Sequence, residues 1–410
     1  MEGVWNRSSL ACLPGFRWTM SPSLRKSVAV LALASHSLVG AATFDLPIIF
    51  DNSYASVELD VGTPASTYRL FFDTGSASTW IANEQCASTT CVNGSGYARV
   101  GYNSSESSTS IQQGPYEEIQ YSTPSDKVAG DASTDVFTLA ACNSTLSWQQ
   151  TFLSVAETSW RFVSADGFLG LAFSAIAATN TTTLFETLLQ KRLVSLPRFG
   201  IYYGKEFSTT GDSPAGELTL GGSKEDEYVD GNLTWIPLRE ESTMEVWRTP
   251  WKTVSGSFGG SNTTNKLWVT DGRAVFDTGA GGSIKIPPEL IESVYDSIGM
   301  NYTAIFSGAH RPLCTEFNAS WSVSFDFGDW QTDDDRYTIT LTGDELARPG
   351  FANSQDNCYP PFDSSEIWGF GLFGTALLHH RYSVWDFGAF DLADYKPRIG
   401  FGKLKGEYKA

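Results

Sequence analysis

The sequence predicts a mostly β chain of two similar lobes with a few short helices. An apolar run that ends in Asp-Thr-Gly occurs twice, first in residues 70–80 with Asp73 and again in residues 274–280 with Asp277. The chain has 410 residues and is 41% hydrophobic, so it can bury the cores of two lobes. The repeat indicates that one chain contains the same half-site twice.

Each repeated aspartate follows apolar residues that are typical of a buried strand. A lone carboxylate there is costly to ionise, so it must be hydrogen-bonded or paired. The turns that follow supply hydroxyl and N–H groups for this purpose. If the two turns face each other, the carboxyls share one proton and titrate as a pair. The turn residues are Thr74, Gly75 and Ser76 in the first copy, and Thr278, Gly279 and Ala280 in the second.

The first strands are predicted from the alternation of apolar and polar residues. Val57, Leu59 and Val61 alternate with polar residues from Tyr54 onward, which predicts a half-buried strand. Residues 62–64, Gly-Thr-Pro, then turn the chain into a second strand at 68–72. A hairpin is therefore predicted to lead into Asp73.

The remaining elements are predicted in chain order from local composition. Residues 86–115 are rich in Ser, Thr, Asn and Gly and indicate a surface loop. A strand is predicted at 119–121, with a turn at 122–127. Helices are predicted at 182–194, from helical apolar spacing, and at 287–297, from prolines in a first turn. Trp160 and Phe162 are assigned to core packing in preference to a substrate pocket.

The charge of the chain excludes one class of partner. The formal net charge is −18 and the pI is about 4.6. Nucleic-acid binding needs a basic patch, and none is present in the sequence. An acidic surface loses self-repulsion at low pH, which suits work in acid.

The N-terminus is typical of a secretory signal, which we place at residues 1–42. Two basic residues at 25–26 precede an apolar run at 28–39 and the small residues 40–42. The run is too short for a membrane span, and no second long apolar run follows. We therefore expect a secreted chain without a stable membrane anchor, beginning its translation at either Met1 or Met20.

Cysteines and sequons agree with export. Five cysteines follow the leader, and their spacing contains no metal-binding Cys-x-x-Cys pair. Cys142 is interpreted as a buried thiol in preference to an intermolecular partner. The chain also has eight Asn-x-Ser/Thr sequons as candidate glycan sites: Asn93, Asn103, Asn143, Asn180, Asn232, Asn262, Asn301 and Asn318.

Between residues 54 and 401 the chain resembles the pepsin-like aspartic peptidases. Five features carry the resemblance, and they occur in the order that is typical of the family. They are the two Asp-Thr-Gly turns with residues 61–64 ahead of the first, Trp80, a flap-like Tyr121, the segment 166–172, and residues 372–374 followed by 382–386.

The resemblance implies a bilobal fold with the active-site cleft between two pseudo-symmetric lobes, at 43–222 and 223–410. It implies an aspartic endopeptidase, active as a monomer on peptide or protein substrates without cofactor or metal, with Asp73 and Asp277 as catalytic residues. Tyr121 is the expected flap tyrosine and Trp80 its hydrogen-bond partner. The expected disulfides join Cys86 to Cys91 and Cys314 to Cys358.

The sequence departs from the family pattern in three places. Family members usually carry Ser or Thr where this chain has Ala280, so we expect Asp277 to be harder to ionise and the pH optimum to be higher. The flap turn has Ser-Thr-Pro in place of glycines. Only eleven residues separate Ala42 from Tyr54, so we expect folding without an inhibitory segment. A peptide-binding protein with weak or no catalysis is therefore the alternative.

Other chemistries fit the sequence less well. The four histidines form no zinc-hydrolase signature, and residues 211–213 precede proline where a serine-protease turn needs glycine. Glycosidases use paired carboxylates but need no duplicated Asp-Thr-Gly turn. The acidic run 333–335 is interpreted as a solvated loop in preference to a calcium site.

Overall fold

The structure is a computed structural model that describes residues 42–409 apart from 52, 122–124, 142–143, 205–214, 240, 242, 260–265 and 329–336. Several predictions made from the sequence fall outside these residues. They concern the leader before Ala42, the flap tip at 122–124, Cys142, the sequons at Asn143 and Asn262, and the segments 211–213 and 333–335.

The described part of the chain is mostly β. Strands of the first half are β1 Phe44–Asp51, β2 Tyr54–Val61, β3 Ser66–Asp73, β4 Trp80–Ala82, β5 Ile111–Gln120, β6 Lys127–Ala141, β7 Ser144–Thr158, β8 Gly167–Gly170, β9 Arg198–Gly204 and β10 Ala215–Leu220. Those of the second half are β11 Thr234–Pro237, β12 Arg248–Phe258, β13 Leu267–Trp268, β14 Arg273–Phe276, β15 Ile284–Ile286, β16 Trp321–Phe327, β17 Tyr337–Thr342, β18 Phe362–Ser364, β19 Phe370–Phe373, β20 Arg381–Asp386 and β21 Arg398–Lys403. The helices are α1 Leu184–Gln190, α2 Glu225–Tyr228, α3 Ile291–Ser297, α4 Tyr302–Phe306 and α5 Thr375–Leu378.

Within the described residues these strands form two large sheets. The larger has the order β11-β21-β20-β9-β10-β1-β2-β3-β8-β4-β7-β6-β5, and the smaller β17-β16-β12-β14-β19-β15-β18, with β13 beside β12. Strand β20, near the C-terminus, pairs antiparallel with β9 of the first half. The two lobes are thereby joined by shared backbone hydrogen bonds, and the bilobal, mostly β prediction is confirmed. The division at residues 222 and 223 stays a prediction.

The hairpin predicted ahead of Asp73 is present. Strands β2 and β3 pair antiparallel, and Val57, Leu59 and Val61 are buried as their alternation predicts. Glu58, between two of them, is exposed. The alternating pattern therefore fixes which face of this strand packs against the core.

The same three-strand unit surrounds both Asp-Thr-Gly turns. In the first lobe β3 pairs in parallel with β8, and β8 pairs antiparallel with β4. In the second lobe β14 pairs in parallel with β19, and β19 pairs antiparallel with β15. The sequence repeat thus corresponds to a repeated strand arrangement.

Some predicted boundaries are wrong. Strand β5 begins at Ile111, inside the segment predicted as loop, because its backbone pairs with β6 although most of its side chains are exposed. The helix predicted at 182–194 is confirmed only over Leu184–Gln190, and Arg192 has a φ of 54° that ends it. The helix predicted from residue 287 begins at Ile291, after a turn.

Two disulfides are present among the described cysteines. They join Cys86 to Cys91 and Cys314 to Cys358, which are the pairs that the resemblance implied. None of the helices in the described residues is long and apolar enough to cross a membrane.

Candidate active site

The two aspartates lie at the ends of buried strands. Asp73 is the last residue of β3, where it pairs with Gly170 of β8. Asp277 follows β14 directly, and its N–H donates to the carbonyl of Phe373 at 3.0 Å. The residues before each aspartate, Phe72 and Phe276, are fully buried. A rigid apolar strand therefore positions each carboxyl.

Two threonines lock the turns together. The Thr74 N–H donates to the Thr278 hydroxyl, and the Thr278 N–H donates to the Thr74 hydroxyl, both at 2.9 Å. Each hydroxyl also donates across the interface, from Thr74 to the Phe276 carbonyl at 3.1 Å and from Thr278 to the Phe72 carbonyl at 3.0 Å. These four bonds satisfy buried polar groups and fix the turns face to face.

The carboxyls receive donors from their own turns. The Gly75 N–H donates to Asp73 Oδ1 at 2.8 Å, and the Gly279 N–H donates to Asp277 Oδ1 at 2.7 Å. The Ser76 hydroxyl donates to Asp73 Oδ2 at 2.5 Å. The two carboxyls face each other across the turns, and two acids this close share one proton because both cannot be ionised together.

The turn glycines are required by this close approach. A Cβ on Gly75 would overlap the carboxyl of Asp277, and a Cβ on Gly279 would overlap the carboxyl of Asp73. Each glycine therefore makes room for the acid of the opposite turn, and no larger residue fits at either position.

The environment of Asp277 favours its protonated form. Burial raises the pKa of Asp277 well above its usual value, and the neighbouring Asp73 raises it further. The N–H groups of Gly279 and Ala280 act in the opposite direction but do not cancel this effect. The two carboxyls therefore titrate as a pair that retains one proton.

Ala280 makes the donors of the two turns asymmetric. It occupies the position in the second turn that Ser76 occupies in the first, three residues after the aspartate. Its methyl group has no hydrogen to donate, so Asp277 lacks the hydroxyl bond that Asp73 accepts from Ser76.

Tyr121 lies beside the dyad at the end of the β5–β6 hairpin. Its N–H donates to the Asp126 carbonyl at 2.7 Å, which begins the turn. The indole N–H of Trp80 donates to the Tyr121 hydroxyl at 2.9 Å, the contact expected from the resemblance. Burial and the charge of Asp73 raise the pKa of Tyr121, so its hydroxyl stays protonated.

An apolar cluster surrounds this tyrosine. The Tyr121 ring lies 5.8 Å from that of Phe168 and 5.4 Å from that of Trp160. The assignment of Phe162 to the core is wrong, because its side chain is 48% exposed and contacts Trp160 from the outside. Trp160 packs against the buried cluster as predicted.

Sequence reasoning did not identify Tyr203, which lies in the buried strand β9. Burial raises its pKa, as do the charges of Asp277 and Asp73, and its ring lies 6.2 Å from that of Phe72, the residue before Asp73. Its hydroxyl is buried and has no hydrogen-bond partner among the described residues. The sequence around it alternates like any core strand and carries no signal of this proximity.

The described sequons differ in accessibility. Asn93 and Asn103 are half-buried, and the Asn93 side chain donates to the Val163 carbonyl at 2.6 Å. The exposed sequons are Asn180, Asn232, Asn301 and Asn318. Among the described residues no group of three or more His, Cys, Asp or Glu side chains is placed to hold a metal ion.

Comparisons with known proteins agree with this geometry. The family model described as eukaryotic aspartyl protease matches residues 53–395. Cathepsin E of Mus musculus is 26% identical over 340 residues, which cover 80% of this chain and 77% of the relative. Vacuolar protease A of Neurospora crassa is 27% identical over 347 residues, 83% of this chain and 78% of the relative. Gastricsin of Mus musculus is 30% identical over 251 residues, 61% of this chain and 58% of the relative.

Proposed function

The chain belongs to the eukaryotic aspartyl protease family and is an aspartic-type endopeptidase, and from this premise we propose that it is a secreted monomer that cleaves peptide bonds at acidic pH. Asp73 and Asp277 are its catalytic residues and hold the attacking water between them. The observation that carries this proposal is the pair of cross-linked turns, which places the carboxyl of each aspartate against the glycine of the opposite turn.

The asymmetry of the pair supports an assignment of roles. Asp73 receives donors from Gly75 and Ser76, which stabilise its ionised form, so it is the general base. Asp277 keeps the shared proton and is the general acid. Thr74 and Thr278 hold both carboxyls in position.

The reaction uses one water and forms no covalent enzyme intermediate. Asp73 takes a proton from the water as its oxygen attacks the carbonyl carbon, while Asp277 protonates the carbonyl oxygen to give a neutral gem-diol. Asp73 then gives its proton to the leaving nitrogen as the C–N bond breaks, and Asp277 regains a proton from a diol hydroxyl. Both acids return to their starting states.

The requirement for one shared proton supports acidic activity. When the pair loses this proton at higher pH, neither acid can protonate the carbonyl oxygen, so turnover falls. The net charge of −18 adds to this preference because the surface loses self-repulsion as carboxylates are protonated.

Secretion is supported by chemistry outside the site. Disulfides persist in oxidising compartments, and the described residues contain two. Four sequons are exposed where a glycan has room: Asn180, Asn232, Asn301 and Asn318. The N-terminal signal-like segment, residues 1–42, agrees with this destination.

The proposal is tested by digesting a denatured protein with the purified secreted chain between pH 3 and 7, with and without pepstatin. We expect pepstatin-sensitive cleavage at acidic pH that disappears in Asp73→Asn and in Asp277→Asn. Cleavage by either variant at the native rate would contradict the assignment of the catalytic residues.

The missing hydroxyl at Ala280 favours a second candidate, a peptide-binding protein with weak turnover. The same experiment separates the two, because that protein would bind pepstatin in a calorimeter without cleaving the denatured substrate at any pH.

A further inference from the structure

The first lobe lines its side of the dyad with apolar side chains. On β3, Phe71 precedes Asp73 by two residues, so the two side chains lie on the same face of the strand. Across the neighbouring strands Phe71 pairs with Phe168, Phe168 with Trp80, and Trp80 with Leu153. All four are buried in one apolar cluster, so this row carries no charge.

The second lobe has a corresponding row of paired residues across its strands, but two of its side chains are charged. Val275 precedes Asp277 by two residues and pairs with Leu372. Leu372 pairs with Lys285, and Lys285 pairs with Asp363. Lys285 and Asp363 therefore stand where the first lobe has a tryptophan and a leucine.

The side chains of this row lie on the face of the sheet that points away from the core of the second lobe. Ile284 and Ile286, on either side of Lys285, are fully buried in the core of the second lobe. Because successive side chains of a strand point to opposite faces, Lys285 points away from that core. The Lys285 and Asp363 side chains remain 35% and 39% exposed.

The Lys285 ammonium has N–H donors that its ion pair with Asp363 does not use. Its ammonium donates to Asp363 Oδ2, and the other oxygen of Asp363 accepts the N–H of Ser364 at 2.9 Å. An ammonium has three hydrogens, so two remain for another acceptor. Lys285 can therefore bind an anionic group without giving up its ion pair with Asp363.

A second cation lies on the same face. Arg273 precedes Val275 by two residues and pairs with Phe370. The described residues offer its buried Nε no hydrogen-bond partner. A second positively charged side chain therefore lies on this face of the sheet.

The position of Lys285 determines which residues of a bound peptide its ammonium can contact. It lies two strands from Val275, about 10 Å at the usual spacing of paired strands. An extended peptide advances about 3.3 Å per residue, so about three residues cover that span. A substrate side chain within about three residues of the scissile bond can reach the ammonium.

We propose that Lys285 is a specificity-determining residue that selects a substrate with an acidic side chain within three residues of the scissile bond, on the side bound by the second lobe. The inference rests on the proposed function, since it assumes that a peptide lies along the dyad.

The test is run at pH 5.5, where a Glu side chain is ionised, with peptides that have one scissile bond between apolar residues and otherwise neutral positions. Glu is placed in turn at each of three positions on either side, and a matched peptide has Gln there. We expect one position on one side where Glu lowers KM about fivefold relative to Gln, with kcat little changed. Added salt should reduce the difference.

Variants test which side chain causes the preference for Glu over Gln. Lys285→Gln should abolish it, Lys285→Glu should favour a Lys peptide over Glu, and Asp363→Asn should strengthen it by removing the competing carboxylate. Arg192→Gln, which breaks the exposed ion pair with Asp391, is the matched control and should leave it unchanged. Equal KM values for Glu and Gln at all six positions, or a preference that survives Lys285→Gln, would overturn the inference.

A binding measurement separates this inference from the proposed function. The same Glu and Gln peptides are titrated into Asp73→Asn and into Asp73→Asn with Lys285→Gln, which need no turnover. A preference for Glu in the first variant alone supports the role of Lys285 even if the native chain cleaves nothing. Equal affinities in both variants would refute it even if the native chain is an active peptidase.

Discussion

Thr74 and Thr278 exchange two hydrogen bonds of 2.9 Å across the boundary between the lobes, each N–H donating to the other's hydroxyl. Both residues are fully buried. The bonds therefore do more than join two loops, because they set the separation of the carboxyls that precede each threonine. The catalytic geometry and the contact between the lobes depend on the same two side chains.

Replacing Thr74 with valine should destabilise the chain by about 2–4 kcal/mol, because the Thr278 N–H and the Phe276 carbonyl would both lose buried partners. Thr74→Ser keeps the hydroxyl and should cost about 1 kcal/mol for the lost methyl group. Denaturant unfolding of both variants at one pH measures the difference. Equal losses in both would mean that methyl packing matters more than the hydrogen bonds.

Introducing a hydroxyl at Ala280 should stabilise ionised Asp277. A hydrogen bond to a charged group contributes about 1.5–3 kcal/mol, so Ala280→Ser should move the pH–rate profile toward acid by about one unit. Ser76→Ala, which removes the corresponding donor from Asp73, should move it the other way. Profiles of kcat/KM against pH measure both shifts, and superimposable native and Ala280→Ser curves would refute the role of this position.

Sequence patterns predicted the parts of the fold that local chemistry determines. Val57 and Leu59 lie on the buried face that their alternation requires, and each Asp-Thr-Gly turn ends a buried strand. The pairing of β20 with β9 was not predicted from the residues, because register between distant strands depends on tertiary packing. Only the end of strand β5 was predicted, and residues 111–118 were missed because an edge strand exposed on both faces carries no apolar alternation.

The site was predictable where a motif repeats and not where the fold alone brings residues together. The aspartates and their turn residues follow from the repeat, whereas Tyr203 reaches the dyad from a core strand. Lys285 is separated from Asp363 by 78 residues, and only the sheet register makes them neighbours. Such contacts have no local sequence signature.

Adding a methyl group at Gly75 should inactivate the enzyme. The new Cβ of Gly75→Ala would overlap the carboxyl of Asp277 and displace it, and a shift of about 1 Å at a reacting group costs about 100-fold in rate. The matched control is Gly406→Ala, because no atom lies within 4 Å of the position of its Cβ. Steady-state measurement of kcat for the two variants tests this prediction. A Gly75→Ala enzyme with native kcat would contradict the close approach of the turns.

Removing the charge of Asp277 should stabilise the chain at neutral pH. Its pKa in the folded chain lies above the unfolded value of about 3.9, so folding favours the protonated form. The stability from this group is complete below pH 3.9 and is lost as the pH rises through the folded pKa. Asp277→Asn should therefore unfold at a higher temperature than the native chain at pH 7.

The pH dependence of that difference is the diagnostic result. Thermal unfolding midpoints of the native chain and Asp277→Asn should converge as the pH falls toward 3, where the native acid is also neutral. A gap that stays constant from pH 3 to pH 7 would show that the variant acts through packing. Asp271→Asn, a change at an exposed aspartate before β14, should leave the midpoint nearly unchanged throughout.

Removing the Tyr121 hydroxyl should weaken the docking of the β5–β6 hairpin over the dyad. The indole N–H of Trp80 is fully buried, and in Tyr121→Phe it would lose the acceptor that the described residues give it, which costs about 1–3 kcal/mol. We expect kcat/KM to fall about tenfold, since the hairpin would cover the bound peptide for less of the time. Tyr116→Phe on the same hairpin is the control, because Tyr116 is 52% exposed. If both variants lose the same activity, the hydrogen bond to Trp80 does not hold the hairpin.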